Sequence, residues 1–155
     1  MRRKDREVTD IAALRAVLER GQAASIAFAG DAPYVIPMNY GYEERDGRFT
    51  LYLHGAAEGE KIRRAQADPR AAFTVYVNNR VYGTEGAGCS GTSSFDSVCG
   101  GGRLRFLEGE EKVHGLRMLM AHYAPGRTFD FPEAMLRVTC VLALDAEQLT
   151  GKHHD

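Results

Sequence analysis

One stretch of the chain, residues 51–64, joins a strand pattern directly to a helix pattern. It reads LYLHGAAEGEKIRR, so an alternating apolar run ends at His54, small residues follow, and a basic helical pattern begins. An anion at this turn would meet unpaired backbone N–H groups of the first helical turn, the positive end of the helix dipole, and Lys61. The stretch therefore predicts a strand, a tight glycine turn and a helix start that together suit a phosphate group.

The remaining pattern predicts six strands, with two or three helices inserted between them and Asp46-Gly47 as a hairpin turn. No βαβαβ alternation is present, so the fold class is predicted as α+β, a mostly antiparallel six-stranded barrel with flanking helices. A length of 155 residues fits a single domain over 1–155. The predicted strands lie within 22–29, 34–42, 49–54, 71–78, 94–108 and 137–144, and the helices within 9–21, 59–66 and 110–124, with a short turn after Pro132.

Several glycine-rich or polar segments carry expectations of their own. Pro37 and Gly41 predict a bulged or edge strand whose backbone is free to face a ligand, and Gly21 is expected to end the first helix in the left-handed conformation. Residues 79–94 read as a long loop, either mobile or functional. The glycines at 100–102 predict a sharp bend at a barrel corner or a close approach of the backbone to a ligand. The tail TGKHHD is polar, and its two histidines, His153 and His154, are expected to be solvated.

Charge and composition exclude several classes of protein. Lys plus Arg number 20 against 21 Asp plus Glu, so the chain lacks the basic field typical of nucleic-acid binding. No apolar run is long enough to span a membrane, and the first residues resemble neither a secretory signal nor a transit peptide. Three cysteines without a CxxC pair fit a reducing compartment, which predicts a cytoplasmic protein that binds no membrane.

A search for catalytic motifs leaves one kind of site. The segment 55–61, GAAEGEK, has the wrong spacing for a Walker A loop, and no Ser or Thr follows its lysine. HExxH, nucleophile-elbow, GxGxxG and zinc patterns are all missing, so no metal site is predicted and no catalytic side chain is identified. The remaining candidate is a planar cofactor with a phosphate tail, held at its phosphate by Lys61 and at its ring by the backbone of residues 38–40.

Ordinary structural roles compete with this interpretation. An isolated histidine that ends a strand, such as His54, is more often a hydrogen-bonded structural residue than a ligand. Met38 and Tyr40 alternate along a strand, so core packing competes with cofactor contact. Lys61 would be an ordinary solvated lysine in most chains, but a cation near the positive helix end is mildly unfavourable unless an anion is present.

Ordered motifs along nearly the whole chain resemble a known family. They are MRRKDREVTD, PYVIPMNYGYE, LYLHGAAEGEKI followed by DPR, SVCGGGRLRFLEGEEK, LMAHYAP and the closing LTGKHHD. In this order they resemble the flavin-binding proteins grouped with nitroimidazole resistance proteins, within the pyridoxamine 5'-phosphate oxidase-like superfamily. The resemblance implies an FMN-binding split β-barrel, usually a homodimer with two FMN sites at the subunit interface.

The resemblance also implies roles for particular residues. Carried over to matching positions, Met38, Asn39 and Tyr40 would line the isoalloxazine ring, while the ribityl and phosphate end would meet His54, Gly55, Ala56 and Lys61. Ser97 and Val98 match the SVxGxG strand of the family and would approach the same site. The chain departs from the family near this pair: Phe95 stands at a usually aromatic position but lacks a hydroxyl, Asp96 stands where a basic residue is usual, and Cys99 replaces a usual aliphatic residue. Vitamin B6 oxidation is disfavoured, because the basic phosphate-binding strand of true pyridoxamine phosphate oxidases is not evident.

The leading functional interpretation is an FMN-dependent oxidoreductase, similar to nitroimidazole reductases, that passes electrons from NAD(P)H to a small acceptor. Such chemistry needs no side-chain acid or base, because the cofactor carries the reaction. A non-catalytic flavin-binding or flavin-storage protein would share the same site. A relative that uses haem or a deazaflavin is a third alternative.

Overall fold

The computed structural model describes residues 2–155, and its elements follow the predicted order of strands and helices. None of the helices within these residues is long and apolar enough to cross a membrane. The strands are β1 (Glu7–Val8), β2 (Ala24–Phe28), β3 (Tyr34–Met38), β4 (Tyr40–Arg45), β5 (Arg48–Ala56), β6 (Arg70–Tyr82), β7 (Thr92–Phe106) and β8 (Thr139–His154). The helices are α1 (Ile11–Arg20), α2 (Glu60–Ala67), α3 (Gly109–Tyr123) and α4 (Glu133–Val138), and a 3₁₀ turn at Lys4–Arg6 precedes β1.

All strands belong to one antiparallel sheet in the order β3-β2-β6-β7-β8-β5-β4, with β1 paired to the far end of β8. The predicted α+β class and antiparallel barrel are confirmed. Strand β8 is the longest and pairs with both β5 and β7, so it connects the two halves of the sheet.

The predicted number of six strands is wrong, because the described residues form eight. One addition is the two-residue β1, and the other arises where the stretch 34–42 divides at Asn39. The strand before Asn39 pairs only with β2, and the strand after it pairs only with β5. The chain thus changes its neighbour in the sheet at this residue, and the N–H of Tyr40 is bound by the Tyr123 hydroxyl at 3.1 Å.

The main core fills the interior of the barrel and is closed at one end by α1. Asp10 caps this helix, since its Oδ2 accepts a hydrogen bond of 2.8 Å from the N–H of Ala13. The helix buries Leu14, Val17 and Leu18 against inward-facing strand residues. Alternation along each strand explains this arrangement, because every second side chain of a strand points into the barrel.

A second apolar cluster lies outside the barrel, beneath α3. It contains Tyr52, Leu107, Leu116, Val141 and Ala143. On β8, Val141 and Ala143 face α3, whereas the alternate residues Leu142 and Leu144 face the barrel interior. Both faces of β8 are therefore covered at this point, which explains why residues 141–144 are continuously apolar instead of alternating.

The structure differs from the predictions made for three glycine positions. Gly41 does not expose its backbone to a ligand, because α3 packs there and a Cβ would overlap the backbone of Met118 and Leu119. Gly21 has φ −69° rather than a left-handed conformation, and a Cβ there would overlap Val75. The glycines at 100–102 do not interrupt β7, but the register against β8 shifts between Gly101 and Gly102, so the predicted irregularity is a bulge.

The hairpin of β6 and β7 is longer than predicted, which shortens the expected loop at 79–94 to residues 83–91.

The polar tail belongs to the sheet, because β8 continues along β7 to His154. The Nδ1 of His153 lies 2.6 Å from an oxygen of Asp96, and His154 lies against Phe95. Of the two histidines expected to be solvated, His153 is exposed, whereas His154 is half-buried against Phe95. The extension of β8 to this point was not predicted, because pairing with a strand far away in sequence leaves no local signal.

Candidate functional site

The turn between β5 and α2 has the geometry of an anion site. Gly59 precedes the helix with φ 112°, a conformation that favours glycine, and no side chain of the described chain caps α2. The acidic residue of the first turn, Glu60, is bound by Arg63 and Arg64 of the same helix. These hydrogen bonds hold the pKa of Glu60 below its ordinary value. The helix start therefore has no side-chain cap, and the carboxylate of its first turn is already neutralised within the helix.

Lys61 lies directly over Gly55. A Cβ at Gly55 would come within 2.6 Å of Cε and 2.7 Å of Nζ of Lys61, so a residue larger than glycine would displace the ammonium group. Within residues 2–155, no carboxylate lies in ion-pair range of Lys61. A partly buried ammonium without a counter-charge at a helix start is the arrangement that an anionic ligand would complete.

His54 stands beside this lysine on the exposed side of β5. Loss of hydration, and then the charge of Lys61, lower the pKa of His54 below its ordinary value. Its imidazole is therefore neutral at pH 7 and can both donate and accept a hydrogen bond. Ala56, the last residue of β5, is also exposed next to the turn.

The register of the sheet brings the segment 38–40 to the same place, since Tyr40 pairs with Leu53, the neighbour of His54. The side chains of Met38 and Tyr40 are buried in the core, and the Tyr40 hydroxyl donates to the carbonyl of Leu18 at 2.6 Å. Only the side chain of Asn39 is exposed. A ligand beside this segment could therefore contact its backbone and the side chain of Asn39. The contacts of Met38 and Tyr40 with an isoalloxazine ring stay predictions.

Tyr123, at the end of α3, holds this segment in position, and the residues predicted for the site did not include it. Its hydroxyl donates to the carbonyl of Gln22 at 2.7 Å and lies 3.2 Å from the Nδ2 of Asn39. The same hydroxyl accepts the N–H of Tyr40. The ring of the adjacent His122 packs on the ring of Tyr40, with 4.9 Å between the ring centroids. Together His122 and Tyr123 hold the point at which the chain passes from pairing with β2 to pairing with β5.

Ser97 and Val98 do not join the site within one chain. Ser97 pairs with Lys152 of β8, whereas His54 pairs with Val141, and the two positions are eleven residues apart on β8. At about 3.3 Å per residue, this corresponds to roughly 36 Å measured along the strand. Val98 is fully buried and faces the core. The predicted site therefore falls into two halves at opposite ends of β8.

The departures from the family pattern near Ser97 are compensated locally. Asp96 is bound by Nδ1 of His153 at 2.6 Å and by Nδ2 of Asn78 at 2.5 Å, and it lies 3.4 Å from Arg20. Partial burial acts to raise the pKa of Asp96, but its hydrogen bonds hold it below the ordinary value. Its negative charge is thus matched by neighbours of the same chain. Cys99 is exposed and lies 3.2 Å from the hydroxyl of Thr74.

No group of three or more His, Cys, Asp or Glu side chains that could hold a metal ion occurs among the described residues. The residues that are present fit a phosphorylated planar ligand. Gly55 leaves room for the Lys61 side chain above it, the start of α2 is uncapped, and Lys61 lacks a counter-charge within the part of the chain that is described.

Comparison with known proteins agrees with this fold. A family model described as pyridoxamine 5'-phosphate oxidase matches residues 10–153. The chain therefore belongs to the pyridoxamine 5'-phosphate oxidase family, as the resemblance in its motifs indicates. A search of curated proteins found no match.

Solved structures share the fold. A protein of Bacteroides thetaiotaomicron assigned to 5-nitroimidazole antibiotic resistance is 29% identical, with a TM-score of 0.81 over 94% of this chain and 85% of that chain. The FAD and heme binding protein of Mycobacterium smegmatis is 21% identical, with a TM-score of 0.83 over 97% and 74%. The flavocytochrome Anf3 of Azotobacter vinelandii is 21% identical, with a TM-score of 0.81 over 100% and 72%.

Proposed function

We propose that this protein binds FMN and uses it as an oxidoreductase, with the phosphate at the start of α2. The observation that carries the proposal is the ammonium group of Lys61, which lies over Gly55 beside an uncapped helix start and has no carboxylate partner among the described residues. A phosphate there would accept backbone N–H bonds and a charge-assisted bond from Lys61. FMN fits this arrangement because its phosphate is terminal.

The ring would lie along the segment 38–40. Asn39 and the adjoining backbone can donate and accept hydrogen bonds at the ring edge, and neutral His54 can bond the ribityl chain without placing a second positive charge there. When bound, the flavin supplies acceptance and donation of electrons to a substrate. The chain's own part is to bind and orient the ring and to exclude water from one of its faces.

We further propose a homodimer in which each flavin meets residues from both subunits. The separation of Ser97 from Lys61 along β8 supports this arrangement, because one chain cannot bring them to one ligand. The outer face of strands β3, β2, β6 and β7 also supports it. The central side chains of this face are uncharged, and Val35 and Tyr76 are 59% and 50% exposed, while the paired Arg70 and Arg103 form its charged edge. This outer face, which includes Ser97, consists of Val35, Pro37, Ser25, Ala27, Ala72, Thr74, Tyr76, Ser97, Cys99 and Gly101. Depletion of charge is typical of the centre of a protein interface.

The electron donor is proposed from flavin chemistry, and the acceptor from similarity to a solved structure. A nicotinamide dinucleotide is the donor that suits a flavin site without acid or base side chains. A small nitro compound as acceptor is supported by the 29% identical protein assigned to 5-nitroimidazole resistance. Three unpaired cysteines support a reducing compartment such as the cytoplasm.

The purified protein's visible spectrum tests the cofactor. Flavin absorption, followed by release of a chromophore with the mass of FMN, is the expected result. The mass of FAD, or the sharp absorption of haem, would correct the ligand, and a colourless protein that fails to bind added FMN would contradict the proposal. Oxidation of NAD(P)H with a nitro acceptor then tests the activity. Bound FMN without oxidation of either donor would instead support a flavin-binding or flavin-storage protein.

A further inference from the structure

Arg64 connects α2, the helix of the proposed phosphate site, to the turn between β2 and β3. Only 12% of its side chain is exposed, and its Nη1 donates a 2.6 Å hydrogen bond to the carbonyl of Ala32. Its guanidinium carbon lies 4.9 Å from the centroid of the Tyr34 ring, at the start of β3. A Cβ at Gly30 would come within 2.8 Å of the same Nη1, so the turn closes tightly around this side chain. Arg64 is therefore fixed by a carbonyl that lies 32 residues earlier in the chain.

The same guanidinium group binds Glu60, the first residue of α2. The Nε of Arg64 donates to Oε1 of Glu60, one helical turn earlier. Arg63 binds the same carboxylate at 2.7 Å, but 69% of the Arg63 side chain is exposed. An exposed ion pair contributes little, because water screens it and both side chains lose freedom when they form it. Arg64 is therefore the partner that determines where the Glu60 carboxylate lies.

A carboxylate at the first position of α2 would otherwise oppose a bound phosphate. Negative side chains are attracted to the N–H groups and to the positive dipole at the start of a helix, so such a carboxylate competes with an anionic ligand there. Glu60 is also adjacent in sequence to Lys61, the cation of the proposed site. Its hydrogen bonds to Arg63 and Arg64 run towards the following turn, so its charge is held along the side of the helix.

We propose that Arg64 is a positioning residue of the phosphate site, which keeps the start of α2 open to an anion by holding the Glu60 carboxylate back along the helix. The inference rests on the proposed function for the identity of the ligand. Arg64 acts through Glu60 and does not contact the phosphate. A purely structural role, in which Arg64 only joins α2 to the turn between β2 and β3, would affect stability and would change the affinities for both flavins alike.

The test compares FMN with riboflavin, which has the same ring and ribityl chain but no phosphate. Arg64→Met removes the guanidinium group and keeps an unbranched side chain. The expected result is a loss of about fivefold in FMN affinity, because the released Glu60 carboxylate repels the phosphate, with riboflavin affinity unchanged. Arg63→Met removes the exposed partner of the same carboxylate and is the matched control, which should change FMN affinity by less than about twofold.

A second change distinguishes repulsion by Glu60 from a displaced helix. Glu60→Gln in the wild type should change FMN affinity by less than about twofold, because the carboxylate is already neutralised. In the Arg64→Met background, Glu60→Gln should restore most of the lost FMN affinity. The inference is overturned by unchanged FMN affinity in Arg64→Met, by an equal loss of FMN and riboflavin affinity, or by equal effects of Glu60→Gln in the two backgrounds.

The unfolding temperature of each variant separates a loss of fold from a loss of binding. If Arg64→Met does not fold, Arg64→Gln takes its place, because the amide carries no charge and keeps N–H donors for the turn. The same loss of FMN affinity, and the same recovery with Glu60→Gln, are then expected, and their absence would overturn the inference.

Failure of the proposed function is recognised separately, with inorganic phosphate as the probe. Wild-type protein that binds neither flavin contradicts the flavin proposal. If phosphate still raises the unfolding temperature of the wild type more than that of Arg64→Met, and Glu60→Gln removes this difference, Arg64 positions an anion site that is not a flavin site. Without that pattern in a wild type that binds no flavin, both proposals are contradicted.

Discussion

Lys61 is the residue on which the phosphate proposal depends most directly. Lys61→Met should weaken FMN binding by about 1–3 kcal/mol, because a charge-assisted hydrogen bond is lost while the uncapped start of α2 remains. Riboflavin affinity should not change. Quenching of flavin fluorescence measures both affinities, and Lys4→Met, an exposed change on the opening 3₁₀ turn, is the control. Unchanged FMN affinity would move the phosphate to another part of the protein.

Tyr123 joins three polar groups through a single hydroxyl. Tyr123→Phe removes the acceptor of the Tyr40 N–H and the donor to the Gln22 carbonyl, so the free energy of unfolding should fall by about 1–3 kcal/mol. Denaturation in urea measures the change. Tyr34→Phe is the control, because the Tyr34 ring packs on Phe28 and no hydrogen bond of its hydroxyl occurs within the described chain. Equal effects in the two variants would contradict a special role for the Tyr123 hydroxyl.

His153 makes stability depend on pH near neutrality. Hydrogen bonds to Asp96 and Asp155 raise the pKa of His153 above its ordinary value of 6.5. The charged ring is therefore favoured in the folded state, and this stabilisation is fully present below pH 6.5 and is lost as pH rises through the raised folded pKa. Arg20 also faces Asp96, but its charge is constant over this range.

Thermal unfolding of wild type and His153→Gln across a pH series measures this contribution. The wild type should exceed the variant most at pH 5.5, and the difference should shrink by pH 8.5. All other titrating groups are common to both proteins and cancel in the difference. A difference that grows with pH would show that the folded pKa of His153 is lowered instead.

Among the elements, α3 is positioned by its close approach to β4 at Gly41. Gly41→Ala should cost about 1–3 kcal/mol, because its Cβ would overlap the backbone of Leu119 and force the helix outward. Urea denaturation measures the loss. Gly88→Ala is a matched control, since a Cβ there meets no atom within 4 Å, and its effect should stay within about 0.5 kcal/mol. Equal stability of the two variants would mean that α3 can shift without cost.

At the scale of the whole molecule, the separation of Ser97 from Lys61 and the uncharged centre of the outer face lead us to predict a homodimer. Light scattering should give a mass of twice 17.1 kDa for the wild type. Tyr76→Glu should give monomers and weaken FMN binding by about tenfold or more, because a charge in the centre of an interface is strongly unfavourable. Arg117→Glu, on the exposed side of α3, should remain dimeric. A monomeric wild type that binds FMN tightly would contradict the two-subunit site.

Local sequence signals predicted much of the fold and one half of the site. The Asp10 cap, the Asp46-Gly47 turn and the strand–turn–helix unit around Lys61 all depend on residues within a few positions of each other, and the structure contains each of them. Hydrophobic periodicity likewise located α1 and α3 to within two residues at either end. The extent of β8 was missed, because its polar end pairs with β7 and polar strand residues lack a periodic apolar signal.

The sequence by itself determined the class of fold and the strand–turn–helix unit around Lys61, because the spacing of apolar residues and the glycine turn act over a few residues. Only the tertiary structure decided that the side chain of Tyr40 points into the core, that Gly41 lies beneath α3, and that Ser97 stands at the opposite end of β8. These arrangements depend on strand register and helix packing between residues far apart in the chain, and a single sequence carries no local signal for them.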